Sequence, residues 1–172
     1  MKYPNAVALA TVDEQLRPAV RIVLLKHVDE KGFQFFTNYE GRKGRELLAN
    51  QQAALCFFWD ALGRQVRVEG KVEKLDSASS DAYFQSRPRR SQLGAWASKQ
   101  SRVIESREIL EQEMEKLEQQ FPHEVPRPDH WGGFLLKPTS FEFWLEQDNR
   151  LHDRFEYLPA SPGQWKINRL SP

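Results

Sequence analysis

The sequence predicts a mainly β protein with helices, an antiparallel α+β arrangement in one domain spanning residues 1–172. Two observations carry this reading. Three apolar runs joined by short turns fall within the first forty residues, which is the pattern of an antiparallel meander. Further on, Gln65-Val-Arg-Val-Glu-Gly-Lys-Val-Glu-Lys-Leu75 alternates apolar and polar residues, the period of a strand with one buried and one wet face.

Taken in order, residues 6–12 predict a first strand and Asp13–Pro18 a turn. A second strand follows over 19–28, apolar apart from Arg21 and Lys26. The odd separation of these two cations puts them on opposite faces unless a bulge intervenes. A turn at Asp29–Gly32 leads to a third strand, 33–37, and residues 38–50 predict a short helix. Its first turn carries Arg42, Lys43 and Arg45. Cations are the wrong sign for the positive end of a helix dipole, so either the end is merely solvated or an anion binds on the free backbone N–H groups. Residues 53–59 and 64–75 predict a hairpin, and 78–87 a helix stopped by Pro88. Arg87, Arg89, Arg90 and Ser91, with Tyr83 one turn earlier, form a second basic cluster, readable as a phosphate cradle or as a charged corner. Residues 102–121 give the clearest helix pattern, with Val103, Leu110 and Leu117 spaced by seven and Met114 and Phe121 offset by four. After a proline-marked loop, Trp131–Leu136 begins another strand, the aromatic run Ser140–Trp144 continues as strand, and 164–170 is the last. Within the run Arg150-Leu-His-Asp-Arg154, strand alternation places Arg150, His152 and Arg154 in one row about 6.6 Å apart. Such a row suits a solvated edge strand or something anionic or electron-rich lying across it.

Composition narrows the function classes. With 25 basic against 24 acidic residues, the net charge of +1 asks for neither nucleic acid nor an anionic membrane surface. No apolar run approaches transmembrane length, and the apolar stretch at 6–12 lacks the flanks of a signal peptide. The single cysteine, Cys56, excludes an internal disulfide, reads as a small buried core residue and fits a reducing cytoplasm. Four histidines without ligand-like pairing give no metal site, and no hydrolase nucleophile signature is present. Two separate oxyanion-type clusters suggest two phosphorylated small molecules.

Six pieces occurring in order resemble the pyridoxine (pyridoxamine) 5'-phosphate oxidase family: Arg21-Ile-Val-Leu-Leu-Lys26, Arg42-Lys43, Ser86-Arg-Pro-Arg89, Ser98-Lys-Gln-Ser101, Trp131-Gly-Gly-Phe134 and Arg150-Leu-His-Asp-Arg154. The resemblance implies an antiparallel FMN-binding split β-barrel with flanking helices, assembled as a homodimer with FMN at the interface. It implies oxidation of pyridoxine or pyridoxamine 5'-phosphate to pyridoxal 5'-phosphate by hydride transfer to flavin N5, with O2 reduced to H2O2. FMN then falls to Arg21, Ile22, Val23, Leu24, Phe36, Thr37, Arg42, Lys43, Gln65, Gln100, Ser101, Trp144 and Arg154. Substrate phosphate falls to Lys26, Tyr83, Arg87 and Ser91, with Arg150 and His152 against the reacting ring. Three differences accompany the resemblance. The sequence starts almost at the first barrel strand, without the N-terminal segment that in family members can fold over the active site. Leu145-Glu-Gln-Asp-Asn149 stands where relatives often have glycine, and Phe36 where tyrosine is common. The alternatives are a sister FMN oxidase of the same fold, acting for example on a phenazine precursor, and a flavin or pyridoxal phosphate binding module with little turnover.

Overall fold

The structure, a computed structural model, describes residues 2–161 and 163–172. Its strands are β1 (Ala6–Val12), β2 (Pro18–Leu24), β3 (His27–Asp29), β4 (Gly32–Asn38), β5 (Gln52–Trp59), β6 (Arg64–Lys74), β7 (Trp131–Leu145), β8 (Asp153–Ser161) and β9 (Gln164–Leu170). Its helices are α1 (Arg42–Ala49), α2 (Ser77–Gln85), α3 (Arg89–Ala97) and α4 (Glu108–Gln120). The strands make one antiparallel sheet in the order β2-β1-β5-β6-β7-β4-β3, with β8 and β9 added on β7. Among the described residues no helix is long and apolar enough to cross a membrane.

The sheet divides at β7. The first part of this strand, Trp131–Leu136, pairs with β4, while Phe141–Leu145 pairs with β8, and β6 runs along both. Register shifts between Glu69 and Gly70, opposite Pro138. Proline has no N–H to give the ladder, so it sits at this irregularity. A Cβ on Gly70 would meet the Lys137 carbonyl oxygen at 2.1 Å, so the bend depends on glycine. Curling places alternate residues of β1, β4, β5, β6 and β7 inside, where Leu9, Phe35, Leu55, Val68 and Leu136 are fully buried. Each such side chain contributes about 1.5–3 kcal/mol by leaving water. A second apolar cluster, built on Phe84, Leu93, Leu117 and Trp131, fastens the helices beside β7.

Several elements differ from the sequence reading. The strand expected over 19–28 changes partners midway: β2 ends at Leu24, Leu25 N–H donates to Asn5 (2.9 Å), and Lys26 N–H donates to the Gln34 carbonyl (2.9 Å). The helix expected over 102–121 begins only at Glu108. Its apolar stripe holds where α3 covers it, at Met114, Leu117 and Phe121, while Leu110 borders an open cleft. Val103 is fully exposed, and an unpacked turn cannot offset the entropy of nucleation. Helix α3 itself was not anticipated, because its glycine and paired arginines hide a weak amphipathic pattern. Cys56 is half-buried on the outer face of β5, while its neighbours Leu55 and Phe57 occupy the core. Burial, offset in part by nearby Arg67, pushes its thiol above the ordinary range.

Candidate functional site

The expected site residues fall into two groups, the first built around the start of α1. Asn38 turns the chain into this helix, its side-chain oxygen accepting from Glu40 N–H (2.8 Å) and Gly41 N–H (3.2 Å). No acidic residue occupies the first turn, and the Arg42 N–H is capped from a distance by Ser101 Oγ (3.1 Å). Ser101 holds φ of 68°, a left-handed conformation costing a non-glycine residue roughly 1–2 kcal/mol. Lys43 Nζ donates to Gln100 Oε1 (2.8 Å) and Thr37 Oγ1 (3.2 Å). Burial and the nearby Arg21 guanidinium push Lys43 below the usual lysine range. Gly41 lets Gln100 approach, since a Cβ there would lie 2.4 Å from Gln100 Oε1. Arg21 donates to Thr11 and, at 2.8 Å, to the buried carboxylate of Glu46.

Two adjoining pockets open on this wall, sharing Lys43 and Gln100. One, of about 430 Å³, is lined by Arg21, Arg42, Lys43, Gln100 and Ser101 together with residues 18–20. The other, of about 560 Å³, is lined by Ile22, Val23, Leu24, Lys26, Phe36, Thr37, Lys43, Tyr83, Arg87, Ser91, Gln100 and Trp131, among others. Both volumes lie within the roughly 300–1,000 Å³ of small-molecule sites. On the far side of the second pocket Phe36 stacks on Tyr83 with ring centres 3.9 Å apart, and Lys26 Nζ stands 5.9 Å from the Tyr83 ring. Arg87 lies over the Trp131 ring at 4.6 Å, and its Nη1 is buried without a hydrogen-bond partner among the described residues. Burial lowers its pKa from the usual arginine value. A buried guanidinium nitrogen lacking an acceptor is rare and marks a place where an anion fits.

The basic clusters are thus sorted by the fold. Arg45 turns away to the Glu40 carbonyl. Arg89 donates to the His123 carbonyl (2.6 Å) and to that of Phe121, tying α3 to the end of α4, and Arg90 borders a separate cleft along α4.

The second group lies across the sheet. Gln65, Trp144 and Arg154 are cross-strand partners on β6, β7 and β8, and so form one row on the outer face. The His152 ring sits 4.6 Å from that of Trp144, and its Nδ1 accepts from Gln147 N–H (3.1 Å). The neutral imidazole therefore carries its proton on Nε2. Arg154 Nε donates to Glu142 (2.9 Å), which also pairs with Arg67 (3.0 Å). The Arg154 hydrogen bond holds the Glu142 carboxyl below its ordinary range.

One expectation fails here. Arg150, His152 and Arg154 do not share a strand face: residues 148–150 form a single tight turn, and β8 begins only at Asp153. Asn149 and Arg150 are both left-handed, with φ of 56° and 62°. The chain must reverse between β7 and β8 within a few residues, and asparagine tolerates that conformation better than most. Arg154 is already paired with Glu142, a carboxylate it shares with Arg67. Sequence reasoning missed Glu46, Thr11, Arg67 and Glu142. Only Glu46 carried a local signal, its spacing of four from Arg42.

Comparison with known proteins is consistent over nearly the whole chain. The family model described as pyridoxamine 5'-phosphate oxidase matches residues 1–121, and that of the pyridoxine 5'-phosphate oxidase C-terminal dimerisation region matches residues 131–172. The chain is 57% identical over 171 residues to a pyridoxine/pyridoxamine 5'-phosphate oxidase of Burkholderia mallei, covering 98% of this chain and 80% of that protein. It is 56% identical over 169 residues to one of Cupriavidus pinatubonensis, with the same coverage. Among solved structures, PhzG from Burkholderia lata 383, in complex with tetrahydrophenazine-1-carboxylic acid, superposes with a TM-score of 0.92 at 31% identity, covering 98% of this chain and 83% of that one. A pyridoxamine 5'-phosphate oxidase-related FMN-binding protein of Nostoc punctiforme shares the fold, with a TM-score of 0.78 at 18% identity over 99% and 89% of the two chains.

Proposed function

The chain belongs to the pyridoxamine 5'-phosphate oxidase family, and on that premise we propose that it is an FMN-dependent oxidase converting pyridoxine or pyridoxamine 5'-phosphate to pyridoxal 5'-phosphate. The observation that carries the reading is the pair of adjoining pockets, one walled by Arg21, Arg42 and Lys43, the other by Lys26, Tyr83, Arg87 and Ser91. Each has the chemistry of a phosphate site, and Arg87 Nη1 still has an acceptor to find.

In this reading Arg21, Arg42, Lys43 and Ser101 hold the FMN phosphate at the start of α1. Ile22–Leu24, Phe36, Thr37 and Gln100 line the adjoining wall. Lys26, Tyr83, Arg87 and Ser91 fix the substrate by its phosphate, leaving its ring to be oriented against the cofactor. Bound FMN supplies the redox chemistry, accepting hydride and returning the electrons to O2 as H2O2. With the amine substrate, water hydrolyses the oxidised carbon–nitrogen bond, giving the aldehyde and releasing ammonia.

Gln65, Trp144 and Arg154 lie three, four and five strands from β2 along the sheet, on the order of 15–25 Å at about 4.8 Å per strand. A two-fold dimer brings this row of one copy to the pocket of the other. The match of residues 131–172 to a dimerisation region supports that arrangement. So do the exposed apolar residues Val20, Ile22 and Phe58 on the same outer face. Arg150 and His152 then approach the substrate ring, His152 presenting its Nε2 proton.

A second reading, a sister oxidase acting on a phenazine precursor, is favoured by the likeness to PhzG. The further donors Lys26, Tyr83 and Ser91 beside Arg87 argue against it, because together they suit the several oxygens of a phosphate better than a single carboxylate. The test is the visible spectrum of the purified protein followed by anaerobic addition of pyridoxamine 5'-phosphate. Flavin bands that bleach support the proposal. Bands that persist favour the sister oxidase or a binding module, and a colourless protein that takes up no FMN overturns the flavoenzyme reading.

A further inference from the structure

Beside the smaller pocket lies a carboxylate that lines neither of these two pockets, bordering instead a third one with residues 13–15, Arg17 and Arg45, yet it touches two of the cations that line the smaller. Glu46, on α1 one turn after Arg42, is only 5% exposed. Its Oε1 accepts from Arg42 Nε (2.8 Å), and its Oε2 accepts from Arg21 Nη2 (2.8 Å) and Thr11 Oγ1 (2.5 Å). Thr11 Oγ1 in turn accepts from Arg21 Nη1, so the hydroxyl is oriented as a relay between guanidinium and carboxylate. Arg21 comes from β2, Thr11 from β1 and the other two from α1, and Glu46 is the atom group at which these three elements meet.

We infer that Glu46 is a positioning residue for phosphate recognition: it clamps Arg21 and Arg42 in the orientation that presents them to an anion at the start of α1. The inference rests on the assignment of that pocket to the FMN phosphate. Arg21, Arg42 and Lys43, less the Glu46 carboxylate, leave two positive charges, matching a phosphate monoester of about −1.5 to −2 at neutral pH. Burial disfavours the charged carboxyl, but the hydrogen bonds from Thr11, Arg42 and Arg21 outweigh it and hold Glu46 below its ordinary range. Glu46 also counters the repulsion from Arg21 that works against the charge on Lys43. Removing the carboxylate would add net positive charge, but at the expense of two aligned guanidiniums. Loss of alignment dominates, because charge-assisted hydrogen bonds depend steeply on geometry whereas a net charge at an open pocket is screened.

The test compares FMN with riboflavin, which lacks the phosphate, by flavin fluorescence on the protein stripped of flavin, with inorganic phosphate as competitor. Wild-type protein should prefer FMN at least 100-fold and lose that preference as phosphate is added. Absence of any preference would overturn the phosphate assignment itself, whatever the variants do. Given the preference, Glu46→Gln should reduce it at least tenfold while riboflavin affinity stays within twofold. Equal losses for both flavins would make Glu46 a purely structural residue, and tighter FMN binding would make it a charge penalty. Either result overturns the inference. Should Glu46→Gln fail to fold, Thr11→Val decides on the same ratio: a threefold or larger fall supports the clamp, and an unchanged ratio overturns it.

Discussion

Around Lys43 the cations are tied into the protein before any ligand arrives: Lys43 to Gln100 and Thr37, Arg21 to Thr11 and Glu46, Arg42 to Glu46. At the other end of the sheet Arg150 stands exposed on a left-handed turn, and the row Gln65–Trp144–Arg154 faces outward with Glu142 as its main anchor. The first region is preorganised within one chain, so a ligand there need not order its own site. The second is an open surface, and its proposed role requires a second copy to cover it. Binding and turnover should therefore respond differently to damage in the two regions.

The largest expected effect is all-or-none. Phe58 is 58% exposed, on the outer face beside Gln65, and in an isolated chain Phe58→Asp should change stability by no more than about 0.5 kcal/mol. In the dimer it should dissociate the protein and strip its flavin to below a tenth of wild-type occupancy. Sedimentation and absorbance of the same sample check this, and a flavin-loaded monomer would break the comparison. Next, Arg150→Ala should lower turnover roughly 100-fold with FMN affinity within twofold, whereas Arg42→Ala should weaken FMN roughly tenfold or more, the loss of a charged hydrogen bond, with little change in turnover at saturating FMN. Steady-state kinetics beside flavin titration separate the two, and identical profiles would erase the distinction.

A subtler test is pH. Binding an anion favours the charged form of Lys43, so FMN affinity should be full below the lowered pKa of Lys43 and fall as pH rises through it. The decline should begin on the acid side of the ordinary lysine range, and Lys43→Arg should remove it. A titration of FMN affinity against pH would show this, and a flat profile for the wild type would contradict it. Smallest is Asn149→Ala, which should cost about 1 kcal/mol in thermal stability through the left-handed turn and lower turnover without touching FMN affinity.

The same contrast explains what could be read from the sequence. Arg42 and Lys43 stood out as candidates because their charge opposes the helix end on which they sit, a conflict visible in the residues alone, and the fold sets both beside one pocket. Arg87 followed from its spacing after Tyr83. The first strand and the last, Ala6–Val12 and Gln164–Leu170, emerged with their observed bounds because apolar alternation and turn residues frame them. Arg150 was misplaced because two consecutive left-handed residues leave no mark in hydrophobic pattern. Val103 continued a heptad stripe that the fold does not cover, and α3 lies where packing rather than propensity makes the helix. Thr11 and Glu142 act through partners distant in sequence or across strands, which spacing cannot supply.

Strand β7 has a bearing on how the chain reaches this state. Phe35 on β4 waits for Phe134, and Phe33 for Leu136, about a hundred residues further along. During synthesis β4 therefore stands with one edge open until β7 emerges, a long-range pairing of the kind that slows folding and exposes the chain to misassociation. The segment ending near residue 121 supplies most of the pocket wall but not the strand that shuts the barrel behind it. Maturation should accordingly be a late, concerted event, with the pocket acquiring its shape only after β7 has been threaded between β4 and β6.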